Sequence, residues 1–341
     1  MKAALLKNWN DLEMTELEKP IPQGNEALLK MVYGGVCGSD VTVYKGLHMT
    51  AKAPVVLCHE ILGVIETLPE GYKGDFKEGD RVVVNPVVEC GTCAACKSGY
   101  SNACENLKLL GIHKNGGFEE YTVADVDKLV KAPEGLSDEV AALSEPFAVA
   151  AHVCRRAGVN ETSKVFIAGA GTIGLVVASY AKRLGAKSVT VSEINPDRIA
   201  LAKKLSLDTV NPMEADLKEV AKEKTNGAGF DIVIDATGAK ASLLVLPDIC
   251  KVGGTVMSLG LSGAPVEFIL GKVSFKEQTL VGSRLYSQED FANGVDALLE
   301  LSKNLPVEAI VSDIYPLSET PEALAKMMSG KNIGKILISC K

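Results

Sequence analysis

Six residues, GAGTIG from Gly169 to Gly174, limit the possible folds of this chain more than any other feature. They follow the apolar run KVFIAG and open TIGLVVASYAKRLG, where the apolar spacing is helical and Gly185 suits a helix stop. Gly169, Gly171 and Gly174 fit G-x-G-x-x-G in the strand–turn–helix setting that gives the pattern its meaning. The first glycine permits a tight turn, the second lets the backbone approach a pyrophosphate, and the third lets the helix lie close to the strand. Free N–H groups and the dipole at the helix N-terminus then favour the anion. Glu193, 19 residues beyond Gly174, ends the next predicted strand. A carboxylate there accepts hydrogen bonds from the adenosine ribose hydroxyls and repels a 2′-phosphate, so NAD is expected over NADP.

The rest of the chain divides around this turn. After it, SVTVSEI, PDRIALAKKL, FDIVIDATG, TVMSLGL and QTLVGSRL alternate strand and helix patterns, which predicts a doubly wound parallel sheet of the α/β class. Before about residue 150, short apolar runs cut by glycine and proline, such as ALLKMVYGGVCG, APVVLCHEILGVIETL and DRVVVNPVV, predict an all-β domain. In the tail, FANGVDALLELS and PEALAKMM read as helices. KILISC reads as a strand returning to the earlier sheet. A chain of 341 residues exceeds what one core usually serves. Two domains are expected, one formed by 1–150 with 288–341 and the other by 151–287.

A net charge of −7 without a basic run argues against a nucleic-acid partner. No apolar stretch approaches the ~20 residues of a membrane helix, and MKAALLKNWNDLEM lacks a signal-peptide pattern. The expectation is a cytoplasmic protein with no membrane partner.

Four of the nine cysteines fall in ECGTCAACKSGYSNAC, with the spacing C-x2-C-x2-C-x7-C at Cys90, Cys93, Cys96 and Cys104. An odd cysteine count in a chain of this kind disfavours a disulfide framework. Short x2 links let the sulfurs converge on a tetrahedral ion at ~2.3 Å, as in a closed structural zinc site. An iron–sulfur cluster is the rival, but its usual motif places proline after the last cysteine, where Glu105 stands.

A third set is scattered. GGVCGSD places Cys37 in a glycine-rich turn with Ser39 two residues on, VVLCHEILG places His59 and Glu60 after an apolar strand, and ALSEPFAVAAH places Glu145 before a proline. Taken singly, each reads as a core or structural residue. Together they supply enough ligands for a zinc that keeps one position open. A metalloprotease H-E-x-x-H is excluded by Gly63.

GVCGSDV, CHE-x-x-G, the four-cysteine lobe, GGFEEYTV, EPFAVAAHVCRR, GAGTIG and the closing GKILI together resemble the zinc-dependent medium-chain dehydrogenase/reductase family over essentially the whole chain. EPFAVAAHVCRR and the pair Glu193 and Arg198 are most similar to polyol dehydrogenases of the sorbitol type. The resemblance implies a GroES-like β-barrel catalytic domain carrying two zincs and a Rossmann domain carrying NAD, with the active site in the cleft between them. It implies Cys37 and His59 as ligands of the catalytic zinc. Glu60 and Glu145 are its two carboxylates, and which of them binds at rest stays open. Ser39 matches the hydroxyl that begins a proton relay. Thr42 stands where many relatives place histidine, so the relay's exit is open, with His48 a substitute or a plain solvent-exposed loop residue. Thr172, Ile173, Arg198 and Thr237 join the glycines and Glu193 as cofactor positions. Arg284 is a substrate-binding or surface arginine. Cys58, in place of the usual glycine, is not a ligand, and His113 and His152 read as structural. The implied activity is NAD-dependent oxidation of a polyol or sugar-derived secondary alcohol by a homodimer or homotetramer. L-threonine 3-dehydrogenase, butanediol and sugar-phosphate dehydrogenases, and a non-catalytic NAD-binding redox sensor are the alternatives.

Overall fold

The run EALLKMVYGGV makes the strand Glu26–Val36, whose leucines, methionine and tyrosine are buried while Lys30 faces solvent. In the computed structural model, which describes every residue except 261–264, this strand is the spine of the first of two units. It pairs antiparallel with Glu60–Thr67, with Tyr121–Asp125 and with the late strand Lys335–Ser339. Glu60–Thr67 continues to Arg81–Val84 and then Leu129–Lys131, and Val311–Pro316 forms the other edge beside Lys335–Ser339. Leu29, Met31, Leu62 and Ile65 are at most 1% exposed. Each contributes on the order of 1.5–3 kcal/mol by leaving water.

The apolar run before His59 is not one strand. Val55–Val56 joins a three-stranded sheet with Lys2–Asn8 and Asp11–Glu16, and Glu60–Thr67 belongs to the larger sheet. The break falls at Cys58, which has a φ of 87°. That region costs a non-glycine residue roughly 1–2 kcal/mol. The backbone of Cys58 lies so close to Gly111 and Gly116 that neither has room for a Cβ.

The second unit holds the expected doubly wound sheet. Its six strands run parallel in the order Asp208–Val210, Ser188–Ser192, Lys164–Ala168, Phe230–Asp235, Cys250–Ser258 and Thr279–Gly282. The first of these in sequence, Lys164–Ala168, lies between Ser188–Ser192 and Phe230–Asp235. The strand order reverses there, which is where such sheets bind ligands. Phe166 and Phe230, with ring centroids 5.2 Å apart, anchor its core.

The division differs from the expected one. The first unit comprises Met1–Glu145, Ser287–Leu299 and Val311–Lys341, and the second Pro146–Tyr286 with Glu300–Ile310. Within the second unit, Glu300 accepts from Arg183 Nε at 2.7 Å, and Val307–Ile310 touches the helix Pro196–Lys204. Such tertiary ties leave no trace in local sequence pattern.

Candidate functional site

In the second unit, the turn after Lys164–Ala168 uses its three glycines differently. Gly169 has a φ of 98°, with Thr237 Cγ2 lying against its bare Cα. Gly174 sits against the carbonyl of Gly169, leaving no space for a side chain. At Gly171, which caps the helix Thr172–Arg183, a Cβ would meet open space. A cofactor phosphate needs that clearance. Thr172 and Ile173 form the first turn of the helix.

Glu193 follows Ser188–Ser192 and is held by three backbone N–H groups. Ala170 donates to Oε2 at 2.9 Å, and Ile194 and Asn195 donate to Oε1 at 2.8 and 3.0 Å. These bonds fix the carboxylate beside the glycine turn and leave Oε2 a further acceptor position. Arg198 lies in the helix capped by Asn195. The Thr237 hydroxyl donates to Asp235 at 2.6 Å. Arg284 is exposed just past Thr279–Gly282.

In the first unit the chain leaves Glu26–Val36 at Cys37 and turns directly into the short helix Gly38–Tyr44. Ligand atoms of Cys37, His59 and Glu60 lie within 4.8 Å of one another. Ser39 Oγ stands 3.4 Å from His59 Nε2. Glu145 is outside this group but buried, and its charge acts on Lys335, which contacts Glu60. Thr42 donates to the Gly38 carbonyl within its own helix. His48 is half-buried rather than solvent-exposed, because its Nδ1 accepts from the amides of Thr50 and Ala51. His113 Nε2 is 2.9 Å from the Thr50 hydroxyl, and His152 is buried beside Arg155. The Cys58 thiol points at the Glu60 carbonyl, 3.3 Å away, rather than joining the ligand atoms.

Two residues that sequence reasoning passed over organise this site. Asp40 is completely buried. Its Oδ2 accepts from the Cys37 N–H at 2.8 Å and its Oδ1 from the Cys58 N–H at 3.3 Å, and Oδ1 stands 3.7 Å from His59 Nδ1. One carboxylate thus holds the Cys37 turn by a hydrogen bond and sets its charge beside His59 Nδ1, which itself has no hydrogen-bond partner. Burial works against a charged His59 ring, but Asp40 and Cys37 more than offset it and hold its pKa well above the usual value. Asp40 had a signal, since it lies three residues after the helix cap, where capping carboxylates occur. The other is Lys335, which lies 275 residues from Glu60; it stands in the closing GKILI, but nothing in that run gave it a role.

The four-cysteine lobe is local. The short helix Ala94–Lys97 turns the chain between its ligands. Sulfur separations are 3.5 Å for Cys93–Cys96, 3.8 Å for Cys93–Cys104 and 3.4 Å for Cys104–Cys90. A tetrahedron with bonds of ~2.3 Å has edges of about 3.8 Å, so the thiols fit one zinc. Backbone N–H groups point at the sulfurs, from Cys90 to Cys104 at 3.3 Å and from Cys93 to Cys90 at 3.4 Å. Donors of this kind, from Thr92 first and then Cys93, pull the Cys90 thiol down to about 5. All nine cysteines are free thiols.

Comparison with known proteins agrees with this geometry. Residues 23–134 match the alcohol dehydrogenase GroES-like domain and 172–300 the zinc-binding dehydrogenase domain. The chain is 35% identical over 322 residues to L-galactonate-5-dehydrogenase of Escherichia coli, covering 94% of each protein. It is 34% identical over 329 residues to the sorbitol dehydrogenase of Halalkalibacterium halodurans, covering 95% of this chain and 94% of that one. Among solved structures, an alcohol dehydrogenase of E. coli CFT073 complexed with NADH superposes with a TM-score of 0.90, at 31% identity and 99% coverage of both chains.

Proposed function

The chain belongs to the zinc-dependent medium-chain dehydrogenase family, and from that premise we propose that it oxidises a secondary alcohol of a polyol or sugar-derived compound with NAD as hydride acceptor. The observation that carries this reading is the set of half-buried Cys37 with buried His59 and Glu60, and the Ser39 hydroxyl beside the imidazole. Thiolate, imidazole and carboxylate suit a zinc that keeps a position for an oxygen ligand. The relatives named for L-galactonate and sorbitol support the substrate class.

When bound, zinc supplies Lewis acidity that lowers the pKa of an alcohol, and NAD supplies the hydride acceptor. The protein's own groups do the rest. Cys37, held through Asp40, and His59, with the Asp40 charge beside it, are the fixed ligands. Ser39 is placed to take the hydroxyl proton and pass it outward. Glu60 and Glu145 are the carboxylates of the site, adding negative charge that moderates the metal. The glycine turn and the helix Thr172–Arg183 take the pyrophosphate. Glu193 takes the adenosine ribose and disfavours a 2′-phosphate, and Arg198 and Thr237 flank that pocket. Cys90, Cys93, Cys96 and Cys104 hold the second, structural zinc.

The enzyme is a cytoplasmic homodimer or homotetramer in this reading. Nine free thiols suit a reducing compartment, and no described helix is long and apolar enough to cross a membrane. Thr279–Gly282 is an edge strand with Leu280 48% exposed, and Val252 and Phe275 are 69% and 93% exposed. An unpaired apolar edge of this kind favours pairing with another copy.

NADH formation, followed by absorbance, tests the assignment. L-galactonate, sorbitol or a close stereoisomer should outperform L-threonine, butanediol and sugar phosphates. If zinc and NAD both bind but no alcohol is turned over, the chain is a redox sensor and not an enzyme.

A further inference from the structure

A cavity of about 310 Å³ opens in the first unit, with Leu17, Pro20, Leu110 and Val123 on its walls beside Glu119. That volume lies within the range of small-molecule sites, and Glu119 is in neither group of candidate metal ligands. The backbone around Glu119 is tied to the strand Lys2–Asn8. Ala4 N–H donates to the Phe118 carbonyl at 2.8 Å, and Glu120 N–H donates to the Lys2 carbonyl at 3.0 Å. Between these bonds Glu119 is 1% exposed, and its Oε2 is buried with no hydrogen-bond partner. A buried acceptor left in this condition is costly. Burial pushes the carboxyl up to about 8, so near neutral pH it is mostly a neutral acid. Other polar groups on the wall are engaged. The Met1 ammonium donates to the Leu17 carbonyl at 2.6 Å, Asn115 Oδ1 accepts from the Val56 N–H at 3.1 Å, and Lys114 Nζ stands 3.6 Å from Glu26. The unsatisfied group is thus an acceptor, and it is set among aliphatic side chains.

We propose that this cavity is an accessory binding site for a small organic ammonium ion, whose charged head donates to Glu119 Oε2 while its aliphatic body lies against Leu17, Leu110 and Val123. On binding, the carboxyl proton leaves to solvent and the carboxylate becomes half of an ion pair. A charge-assisted bond to an ammonium is stronger than one to an uncharged donor, and the ammonium brings the countercharge that a buried carboxylate requires. An uncharged ligand would leave the proton in place.

The test is calorimetric titration of the full chain with n-butylammonium chloride, repeated in buffers of different ionisation enthalpy to count protons. At pH 7 binding should release about one proton, and affinity should rise about ten-fold from pH 6.5 to pH 7.5 as Glu119 ionises. The other titratable groups around Glu119 are Glu18, Lys114 and the Met1 ammonium on the wall, Glu120 beside it, and the Cys340 thiol. Burial, and then the charges of Glu119 and Glu120, push that thiol up to about 12. Glu119→Gln separates its own contribution from theirs. It should weaken binding at least ten-fold and abolish the proton release. Leu17→Trp, which fills the cavity from its wall but keeps the carboxyl, should weaken binding as well, and it carries the test if Glu119→Gln does not fold. No binding of n-butylammonium, binding without proton release, or wild-type affinity in either folded variant overturns the site.

Discussion

The two candidate metal sites of the first unit are built on opposite plans. The four-cysteine lobe collects all its ligands from a stretch of 16 residues, each at most a short turn from the next. Its supporting donors are its own backbone N–H groups. The open site draws on Cys37, His59 and Glu60, with Asp40 and, 275 residues beyond Glu60, Lys335 in contact with them. The lobe carries no buried carboxylate among its ligands, whereas the open site has the buried carboxylates of Glu60 and Asp40 and the Lys335 ammonium about it. A closed site has only to hold its ion, and four thiolates at fixed spacing do that. An open site has to change ligands, and the charges that permit exchange come from wherever the fold can supply them.

Cys37→Ala is the strongest test of this contrast. It should remove nearly all turnover and reduce bound zinc from two per chain to one, while NAD binding survives in the second unit. Metal analysis and a cofactor titration check both points, and wild-type turnover with a polyol would end the catalytic assignment. Cys93→Ser should do the reverse. A lost ligand in a closed site costs folding free energy, on the order of several kcal/mol, so the melting temperature should drop. Protein that stays folded should keep most of its kcat. Normal melting combined with lost turnover would erase the distinction between the sites.

A smaller effect asks whether the pH sensitivity of this unit belongs to either site. Glu119 is 1% exposed, lies in neither ligand group, and has one oxygen without a partner. Burial pushes its carboxyl up to about 8, with the Thr122 hydroxyl countering only in part. Its folded pKa lies above the unfolded value, so its contribution to stability is full below about 4.5 and is lost as pH rises through about 8. Melting temperatures measured from pH 5 to pH 9 should fall toward the alkaline end, and Glu119→Gln should flatten that part of the fall. An unchanged slope would place the sensitivity elsewhere.

What the sequence revealed follows the same divide between local and distant. The lobe, the glycine turn with Glu193, and the change from β to alternating pattern are all properties of neighbours in the chain, and each was legible. Cys37, His59 and Glu60 were recognisable as residue types only once taken as a set. Asp40 was hidden by its neighbours, because a carboxylate in a first helical turn looks like an ordinary cap. Lys335 looked like any lysine near a strand. Its meaning depends on the register that sets Ile336 opposite Val36, which spacing does not encode. The break at Cys58 was also missed, since an apolar run containing cysteine gives no sign of a left-handed residue.

The contact between Glu60 and Lys335 also sets a clock. A ribosome adding about 5–20 residues per second needs roughly 14–55 s to travel the 275 residues between them. Throughout that interval the nascent chain already contains Cys37, His59 and Glu60, while the ammonium that balances them has yet to be made. The four cysteines of the lobe are all available long before. The lobe can therefore be assembled during elongation, whereas the charges around the open site are complete only after the late strand has docked. In that order, the centre capable of chemistry is completed only when there is a finished fold to contain it.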